Sequence, residues 1–528
     1  MGSIQLLDCT LRDGGHLTGG KFGENIIRYV LQKLVDAKID IIEAGFLMNE
    51  QYTSDYARFK SIADARKVLP ADKGSSKISL MADFVDLSEI EPCNGTVDII
   101  RLSFKHFRLD WALKTARILI DKGYKVFINP VNCNIYSDEQ YIEVLKRVND
   151  IHPYAFSIVD TFGALRMRSL SRFYYLVDSN LDSDIHIGLH LHENLGLAYS
   201  LAQHFITINE GKRDIVIDAS LLGMGRAPGN LCIEQIMGHL NYYYGGQYNT
   251  AAAYDAIDDC IVNLKRNTQW GYAIPYALSA KYQLHRTYAE FLMNKWRLHT
   301  RDIEQILSEI PKEESILFNE EFVERLYRDF VSVKYDDADN LKNFADELRG
   351  KNAVIVAPGS SLSEAENRER VKNYVKDNNA VVIAVHFMPD FVECDYLFYT
   401  NIKRFEISRA GEFFRKLIIT SNILRYNPDE KCRYVFEWAR LANHDGIYSD
   451  DSTLMLVNLL RYCGVNEIAA AGFDGFTAQS SPFYSGDSVH ANGFSRGNDF
   501  DKTRELTARV IREKYSGAIK FLTRSIYE

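Results

Sequence analysis

The sequence is poor in cysteine and lacks long apolar runs, and both absences narrow the class of protein. Its 528 residues include eight cysteines, of which Cys232 and Cys260 are the closest pair in sequence. Zinc modules and disulfide frameworks need cysteines at short, repeated spacings, so neither is expected. The longest apolar run, Ala380–Met388 with one histidine inside, is far short of the roughly 18 residues that a membrane helix needs.

The chain also lacks an excess of positive charge. Lys and Arg total 62 against 71 Asp and Glu, which gives a formal net charge of −9, and no nucleic-acid partner is expected. Asp8 lies where a signal peptide would need its apolar stretch, so we expect a cytoplasmic location. The composition, 46% apolar and 25% charged, is typical of a globular protein, and the length predicts two or three domains.

The first 225 residues alternate between short β-branched runs and amphipathic stretches, which predicts parallel strands joined by helices. The candidate strands are 4–11, 39–46, 77–84, 97–104, 125–132, 155–160, 185–192 and 214–221. Eight strands in this length match a (β/α)₈ barrel of roughly 250 residues. A doubly wound open sheet is the alternative, because periodicity alone does not separate the two folds.

The placement of polar residues favours the closed barrel. The polar residues near the C-terminal ends of the predicted strands are Arg12, Asp13, Glu43, Asp83, Asp160, His190 and His192. In a closed barrel these ends converge on one site, whereas in an open sheet they spread along an edge. We therefore predict a TIM barrel for this part of the chain.

A second α/β pattern follows a helical, charged region. Its candidate strands are 352–362, 380–387, 416–423 and 466–476. The predicted organisation is an α/β protein with a TIM barrel over 1–250, a helical extension and linker over 251–345, and a Rossmann-like α/β domain over 346–528.

The clearest chemical signal is the segment GLHLHENLGLA at 188–198. Residues two apart on a strand face the same side, so His190 and His192 direct two imidazoles to one point. A metal is the usual reason for such a pair, although two inward core histidines are the alternative. Asp13, just past the first strand, adds a carboxylate and favours the metal. Such a site leaves positions open for the carboxylate and carbonyl oxygens of a 2-oxo acid.

Five separated motifs resemble the DRE-TIM metallolyase superfamily, with the likeness spanning about residues 4–290. They are LDCTLRDGGH, IIEAGF, VDTFGAL, GLHLHENLGLA and DASLLGMGRAPGNLCIE. The superfamily includes 4-hydroxy-2-oxovalerate aldolases, 3-hydroxy-3-methylglutaryl-CoA lyases and isopropylmalate-type synthases. The resemblance implies a metal-dependent enzyme of carbon–carbon bond chemistry.

Three departures from the CoA-dependent branches favour the aldolases. Gly15 and His16 stand where the synthases usually carry Glu-Gln and the CoA lyases Leu-Gln, and a histidine there resembles the aldolases' general base. The loop at 223–230 has no cysteine, unlike that of the CoA lyases. The segment WGYAIPYALSAKY at 270–282 resembles an aldolase helix whose second tyrosine, here Tyr276, lines the active site.

Roles carried over from this resemblance form a consistent set. Asp13, His190 and His192 would bind the metal, expected to be Mn²⁺ or Mg²⁺, with Zn²⁺ or Co²⁺ as alternatives. The predicted catalytic residues are Arg12, which stabilises an enolate, Glu43, which orients Arg12, His16 as general base, and Tyr276 as a proton carrier. Asn194 and Asn230 are predicted to hydrogen-bond around the metal ligands. The alternative to these catalytic roles is a structural one, in which Arg12 and Glu43 form only an ion pair of the barrel and Tyr276 is only a packing aromatic.

The C-terminal part, about 350–520, more loosely resembles the Rossmann-like domains of bacterial sialyltransferases and hydroxymethylpterin-diphosphokinase-like proteins. The segments that carry this likeness are VIVAPGSSL, LIITSNIL and DDSTLMLVNLLRYCGVNEIAAAGFDGF. By this resemblance a phosphate would approach Gly359, Ser360 and Ser361, and a nucleotide pocket would be lined by Asn401, Asn422, Ser452 and Thr453. His490 falls where the sialyltransferases place a general base, and an ordinary loop histidine is the alternative.

The function expected from these patterns is a divalent-metal-dependent aldolase that joins or splits a pyruvate enolate and an aldehyde. The second domain would bind a nucleotide or nucleotide-sugar, which suggests surface-polysaccharide or sugar-precursor metabolism, or would serve only as a docking module. An acyl-CoA-dependent Claisen synthase or lyase and a non-catalytic binding protein are the alternatives. The sequence leaves the oligomeric state open, with a homo-oligomer among the options.

Overall fold

The structure is a computed structural model that describes residues 2–408, 410–427, 431–475 and 497–528. The chain divides into two compact units. Unit 1 comprises Met1–Arg286 and Pro311–Phe318, and unit 2 comprises Thr287–Ile310 and Asn319–Glu528. Residues 251–345, predicted as a helical extension, therefore contribute to both units, and the predicted domain boundaries stay predictions.

Unit 1 contains a closed barrel of parallel strands, which confirms the predicted fold. Its strands are β1 (Ile4–Asp8), β2 (Ile41–Leu47), β3 (Arg58–Phe59), β4 (Lys77–Asp83), β5 (Ile99–Phe104), β6 (Lys125–Pro130), β7 (Ala155–Val159), β8 (His186–His190) and β9 (Ile215–Ala219). The barrel closes because β1 pairs with both β9 and β2. The two-residue strand β3 lies outside the ring and pairs with β2.

Helices connect and surround these strands. They are α1 (Thr10–Asp13), α2 (Gly15–Thr18), α3 (Glu24–Asp36), α4 (Ile62–Arg66), α5 (Leu109–Asp121), α6 (Asp138–Asn149), α7 (Met167–Asn180), α8 (Ala198–Asn209), α9 (Ile233–Tyr243), α10 (Thr250–Ala256), α11 (Val262–Asn267) and α12 (Ile274–Tyr282). In α3 the buried residues Ile27, Val30, Leu31 and Leu34 follow the helical repeat, so one apolar face packs on the barrel.

The barrel interior is layered. An apolar cluster is formed by Leu7, Cys9, Ile41, Ile99, Phe127, Ala155 and Val216. Two residues further along their strands come buried polar residues, which are Glu43, Arg101, Asn129, Ser157 and Asp218. Because residues two apart on a strand share a side, the polar layer lies directly nearer the C-terminal ends of the strands.

Unit 2 contains an entirely parallel sheet with the order β14-β13-β12-β11-β10-β17-β18. Its strands are β10 (Asn352–Val356), β11 (Val381–Val385), β12 (Tyr396–Tyr399), β13 (Leu417–Thr420), β14 (Tyr434–Phe436), β17 (Glu467–Ala471) and β18 (Ile519–Phe521), and β15 (Asn443–His444) and β16 (Ile447–Tyr448) form a separate hairpin. A further α/β sheet in the C-terminal region is thus confirmed. The strand order reverses between β10 and β17, where open α/β sheets place their ligands.

The helices of unit 2 are α13 (Thr287–Asn294), α14 (Thr300–Ser308), α15 (Glu320–Val331), α16 (Ala338–Leu348), α17 (Ala365–Asn378), α18 (Ile402–Ile407), α19 (Trp438–Ala442), α20 (Ser452–Tyr462) and α21 (Gly497–Lys514). Among the described residues of the whole chain, no helix combines the length and apolarity needed to cross a bilayer.

Candidate active site

Three side chains that could bind a metal converge at the C-terminal mouth of the barrel. Asp13 ends α1, directly after β1, while His190 ends β8 and His192 lies two residues beyond it. One ligand atom of each lies within 4.8 Å of the others. Asp13 and His190 are 2% and 5% exposed, so the cluster is shielded from solvent.

The second ring nitrogen of each histidine is held by the protein. His190 Nδ1 lies 3.0 Å from Asp218 Oδ2, and His192 Nδ1 lies 2.9 Å from the carbonyl oxygen of Asp160. A carbonyl oxygen can only accept, so Nδ1 of His192 carries the proton and Nε2 keeps its lone pair. The carboxylate of Asp218 favours the same tautomer in His190. Metal-binding histidines are typically oriented in this way.

The protonation states of the cluster suit a cation. Burial alone would raise the pKa of Asp13, but Arg12 and the neighbouring imidazoles hold it far below its ordinary value. Burial, assisted by His190, lowers the pKa of His192 to about 3. Metal ligands must be deprotonated, and Asp13 and His192 meet this requirement at neutral pH.

Asn230 supports Asp13 from the loop after β9. Its Nδ2 donates to Asp13 Oδ2 at 2.5 Å, while its buried Oδ1 has no hydrogen-bond partner. Gly225 of the same loop lies close to Asp13, and a Cβ atom there would be 2.9 Å from Asp13 Oδ2. Glycine, which has no Cβ atom, avoids this clash. An orphaned amide oxygen beside a carboxylate and two imidazoles is a donor set that fits a divalent cation.

Arg12 lies beside the cluster and is fixed on two sides. Its Nη1 donates to Asp13 Oδ1 at 2.8 Å and its Nε to Glu43 Oε2 at 2.6 Å. Glu43 is fully buried on β2. Burial opposes the charge of Arg12, but Glu43 and Asp13 raise the pKa of the guanidinium. Glu43 thus makes the contact expected of a carboxylate that orients Arg12.

His16, on α2, reaches the cluster from the barrel mouth. Its Nε2 lies 3.7 Å from Asp13 Oδ1 and its side chain is 36% exposed. The ring packs edge-on against Phe46, with 5.6 Å between centroids. Partial desolvation lowers the pKa of His16 to about 4, and Arg12 and Arg226 add to this effect against the opposing influence of Asp13. The imidazole is therefore neutral at pH 7 and able to accept a proton.

Asn194 and Tyr276 join the same region. Asn194 Nδ2 donates to the backbone carbonyl of Tyr276 at 3.2 Å, which ties α12 to the loop after β8. Tyr276 itself is 3% exposed. The structure thus links the backbone at Tyr276 to the loop that follows His192, and the individual roles of the residues that the sequence nominates remain predictions.

Two residues of this region were not found by sequence reasoning. Asp218, on β9, holds His190, and Arg101, on β5, donates to Asp218 Oδ2. Asp218 is the first residue of the motif DASLLGMG, which could have indicated it. Arg101 is the single charged residue of the apolar strand IIRLSF. A lone charge in such a strand could have indicated a residue of the barrel interior.

In unit 2 the residues predicted to approach a phosphate already have partners. The backbone N–H of Ser361 donates to Asp474 Oδ2 at 2.7 Å and its hydroxyl to Oδ1 at 2.5 Å. The hydroxyl of Ser360 is 3.5 Å from the same carboxylate, and the N–H of Gly359 donates to Gly472. The carboxylate of Asp474 thus takes the place expected for an anion.

The predicted nucleotide pocket holds an arginine of unit 2. Arg297 Nη1 lies 3.1 Å from Thr400 Oγ1 and 3.3 Å from Ser452 Oγ, and its guanidinium lies 5.4 Å from the Trp438 ring centroid. Of the other predicted residues, Asn401 and Asn422 bond to backbone carbonyls, since Asn401 Nδ2 donates to Trp296 O and Asn422 Nδ2 to Thr400 O. The backbone N–H of Thr453 donates to the side-chain Oδ1 of Asp451. His490 lies outside the described residues.

The closed barrel and its His–His–Asp cluster define a TIM-barrel domain with a candidate metal site at the mouth. Residues 3–254 match the family HMGL-like, and this part of the chain is an HMGL-like domain of the DRE-TIM superfamily.

Relatives of this domain carry several activities in their names. A protein of Methanosarcina mazei provisionally named 2-isopropylmalate synthase is 24% identical over 48% of this chain and 48% of its own length. The 4-hydroxy-2-oxovalerate aldolase of Geobacillus genomosp. 3 is 22% identical over 45% of this chain and 71% of its own. The chain spans about half the length of the Methanosarcina synthases that it matches.

Solved structures also resemble part of the chain. The N-terminal domain of a Bacteroides vulgatus protein provisionally described as an aldolase covers 55% of this chain and 96% of its own, with 23% identity and a TM-score of 0.47. The HMG-CoA lyase of Brucella melitensis covers 48% of this chain and 96% of its own, with 15% identity and a TM-score of 0.39.

Proposed function

We propose that the barrel is a divalent-metal-dependent aldolase that forms or cleaves a 4-hydroxy-2-oxo acid, using pyruvate or a close analogue and an aldehyde. The observation that carries this proposal is the position of the His16 imidazole, whose Nε2 lies 3.7 Å from Asp13 Oδ1 at the barrel mouth. Aldol cleavage needs a base for the 4-hydroxyl beside the site that binds the 2-oxo acid.

The residues that would hold the cation are Asp13, His190 and His192. When bound, a divalent cation supplies Lewis-acid stabilisation of negative charge on the oxygens of the 2-oxo acid. We propose Mn²⁺ or Mg²⁺, with Zn²⁺ or Co²⁺ as alternatives. Two imidazoles in the donor set make Mn²⁺ the better probe, because Mg²⁺ prefers oxygen ligands.

The remaining residues have distinct tasks in this proposal. Arg12, fixed by Glu43, faces the negative charge that develops on the substrate as the carbon–carbon bond breaks. His16 Nε2 takes the proton of the 4-hydroxyl in cleavage and returns it in addition. Tyr276, or a water near it, passes a proton to the methyl carbon of the 2-oxo acid. Asn230 keeps Asp13 in place.

Hydrogen exchange at the pyruvate methyl group tests this function without knowledge of the aldehyde. The full chain is incubated with pyruvate and Mn²⁺ in D₂O, the reaction is quenched, the metal is removed by a chelator, and the remaining methyl protons are measured by NMR. We expect exchange that stops with EDTA and in Asp13→Ala. Asp121→Ala, at the exposed end of α5, is the matched control and should exchange like the wild type.

Absence of exchange in protein that binds Mn²⁺ would contradict pyruvate as the substrate and favour the acyl-CoA alternative. That alternative has support of its own, since relatives 24% to 26% identical are named isopropylmalate and homocitrate synthases. Thiol release from acetyl-CoA in the presence of a 2-oxo acid would identify it. Failure to bind any divalent metal would refute both.

For unit 2 we propose a nucleotide or nucleotide-sugar site at the strand ends, with the whole protein acting in the cytoplasm on surface-polysaccharide or sugar precursors. The parallel sheet supports this, but Asp474 and Arg297 occupy the expected donors, so a ligand would have to displace them. Calorimetry of the full chain with a nucleoside diphosphate and with a nucleotide-sugar tests it. No heat of binding from either would leave unit 2 as a docking module.

A further inference from the structure

An unbroken chain of buried charges of alternating sign connects two of the candidate metal ligands through the barrel interior. The successive contacts are Asp13 Oδ1 to Arg12 Nη1 at 2.8 Å, Arg12 Nε to Glu43 Oε2 at 2.6 Å, Glu43 Oε1 to Arg101 Nη1 at 3.3 Å, Arg101 Nη2 to Asp218 Oδ2, and Asp218 Oδ2 to His190 Nδ1 at 3.0 Å. This series of charged contacts therefore begins and ends at candidate metal ligands.

Arg101 is the central cation of this series of charged contacts. It lies in the middle of β5, 1% exposed, and also donates to Asn129 Oδ1 at 3.2 Å. Its guanidinium thus reaches side chains of β2, β6 and β9 across the barrel. Burial would lower the pKa of this guanidinium, but Asp218 and Glu43 raise it, so the charge is kept.

The contact with Asp218 is the sensitive one. A single oxygen, Oδ2, binds both Arg101 and His190, whereas Oδ1 of Asp218 has no hydrogen-bond partner. Asp218 is 2% exposed, so without Arg101 its charge would be buried and uncompensated apart from the imidazole. A buried carboxylate that loses its cationic partner moves toward other donors, and this movement disturbs the ring that it orients.

We propose that Arg101 is a positioning residue that sets the metal site by fixing Asp218 against His190 and Glu43 against Arg12. This inference rests on the metal site of the proposed function. Arg101 acts through other residues and makes no contact with Asp13, His190 or His192 among the described contacts. Its effect is therefore expected on metal affinity first and on turnover as a consequence.

The test compares Mn²⁺ binding, measured by electron paramagnetic resonance of the free ion, in the full-length wild type, Arg101→Met and Arg101→Lys. We expect the dissociation constant to rise in Arg101→Met by up to the roughly ten- to hundredfold that follows removal of a direct partner of a metal ligand such as Asp218. Arg101→Lys keeps the positive charge but loses the planar, multi-donor geometry of the guanidinium. It should therefore still hold Asp218 and recover part of the Mn²⁺ affinity that Arg101→Met loses.

Arg213→Met is the matched control. Arg213 is also a buried barrel arginine, 6% exposed, with Asp178 and backbone carbonyls as partners, away from the metal cluster. Its loss should lower stability, measured by thermal unfolding in EDTA, and leave Mn²⁺ affinity unchanged. A purely structural role for Arg101 would give the same result as this control.

Asp218→Asn keeps the proposal testable if Arg101→Met does not fold. It preserves shape, removes the charge, and should weaken Mn²⁺ binding by a similar factor. Folded Arg101→Met or Asp218→Asn protein with wild-type Mn²⁺ affinity overturns this inference alone. A wild type that binds no Mn²⁺, Mg²⁺, Zn²⁺ or Co²⁺ overturns the proposed function and this inference together, so the two failures are distinguishable.

Discussion

At the residue scale, buried histidines in this protein differ in what holds their two nitrogens. His190 has Nδ1 against the carboxylate of Asp218, and its ring belongs to the candidate metal cluster. His444 of unit 2 has both nitrogens engaged, Nε2 with the carbonyl of Ser449 at 3.1 Å and Nδ1 with the hydroxyl of Tyr515 at 2.6 Å. Because a carbonyl only accepts, His444 carries its proton on Nε2 and accepts at Nδ1.

This environment predicts a pH-dependent stability. Burial lowers the pKa of His444 to about 4, against which the Ser449 carbonyl and Asp445 act weakly. Below about pH 6.5 the unfolded chain binds a proton that the folded chain refuses, so stability falls as pH drops from 6.5 toward 4. The loss from this residue is at most about 3 kcal/mol.

Urea unfolding of the full chain at several pH values, followed by tryptophan fluorescence, measures this effect. In His444→Gln the amide can donate to Ser449 and accept from Tyr515 but cannot titrate. The wild type should therefore lose more unfolding free energy than the variant between pH 7 and pH 4. Parallel pH profiles of the two proteins would show that His444 does not contribute.

At the element scale, β8 and the loop after it place both histidines. The strand ends at His190, two residues before His192, where the alternation would next face the same side. A single bridge between His192 and Asn230, and a hydrogen bond from Glu193 N to Gly229 O at 2.9 Å, prolong the extended course. The backbone of the loop therefore keeps His192 on the same side as His190.

Close packing inside β8 predicts a second effect. Gly188 pairs with Ser157 of β7, and a Cβ atom at Gly188 would lie 2.4 Å from Ser157 Oγ. Gly188→Ala should therefore destabilise the barrel by about 1–3 kcal/mol. The free energy of unfolding in urea measures this loss.

Ser157→Ala provides the control, since its buried Oγ has no hydrogen-bond partner and its removal should cost little. In the Ser157→Ala background, Gly188→Ala should cost less than in the wild type, because the tightest contact is gone. Equal costs in the two backgrounds would mean that this contact does not limit the packing.

At the scale of the whole molecule, the candidate metal ligands all belong to unit 1. The segment Thr287–Ile310, by contrast, belongs to unit 2 and supplies Arg297 to the strand-end cluster there. A bound metal should therefore raise the free energy of unfolding of unit 1 in particular.

Single-tryptophan variants separate the two transitions. Trp270 reports on unit 1, where its Nε1 donates to Leu222 O at 3.0 Å, and the buried Trp438 reports on unit 2. Mn²⁺ at a hundred times its dissociation constant should raise the unfolding free energy reported by Trp270 by about 2.7 kcal/mol. The change reported by Trp438 should be smaller. Asp13→Ala should abolish the shift, and an unchanged Trp270 transition in metal-bound protein would contradict the assignment.

Much of this protein was readable from its sequence. Short β-branched runs alternating with amphipathic stretches predicted the barrel strands, because parallel strands buried on both faces, such as β7 and β9, are mostly apolar along their length. The side-chain period of two along a strand placed His190 and His192 on the same side. Asp13 follows the first strand directly, so its location at the mouth needed only the barrel topology. In unit 2 the strands β10, β11, β13 and β17 were predicted, whereas β12, β14 and β18 were not. β14 and β18 have only three residues each, too few to carry a detectable pattern.

The tertiary structure alone decided which distant side chains meet. Arg101 and Asp218 are 117 residues apart, and nothing local predicts that one oxygen of Asp218 serves both Arg101 and His190. In unit 2 Ser361, predicted to approach a phosphate, is bonded to Asp474, and Ser452, predicted to line a nucleotide pocket, is bonded to Arg297. Only folding brings these partners near. Periodicity and motifs report the geometry of neighbours along the chain, whereas the pairing of buried charges depends on barrel closure and sheet order, which bring remote strands together.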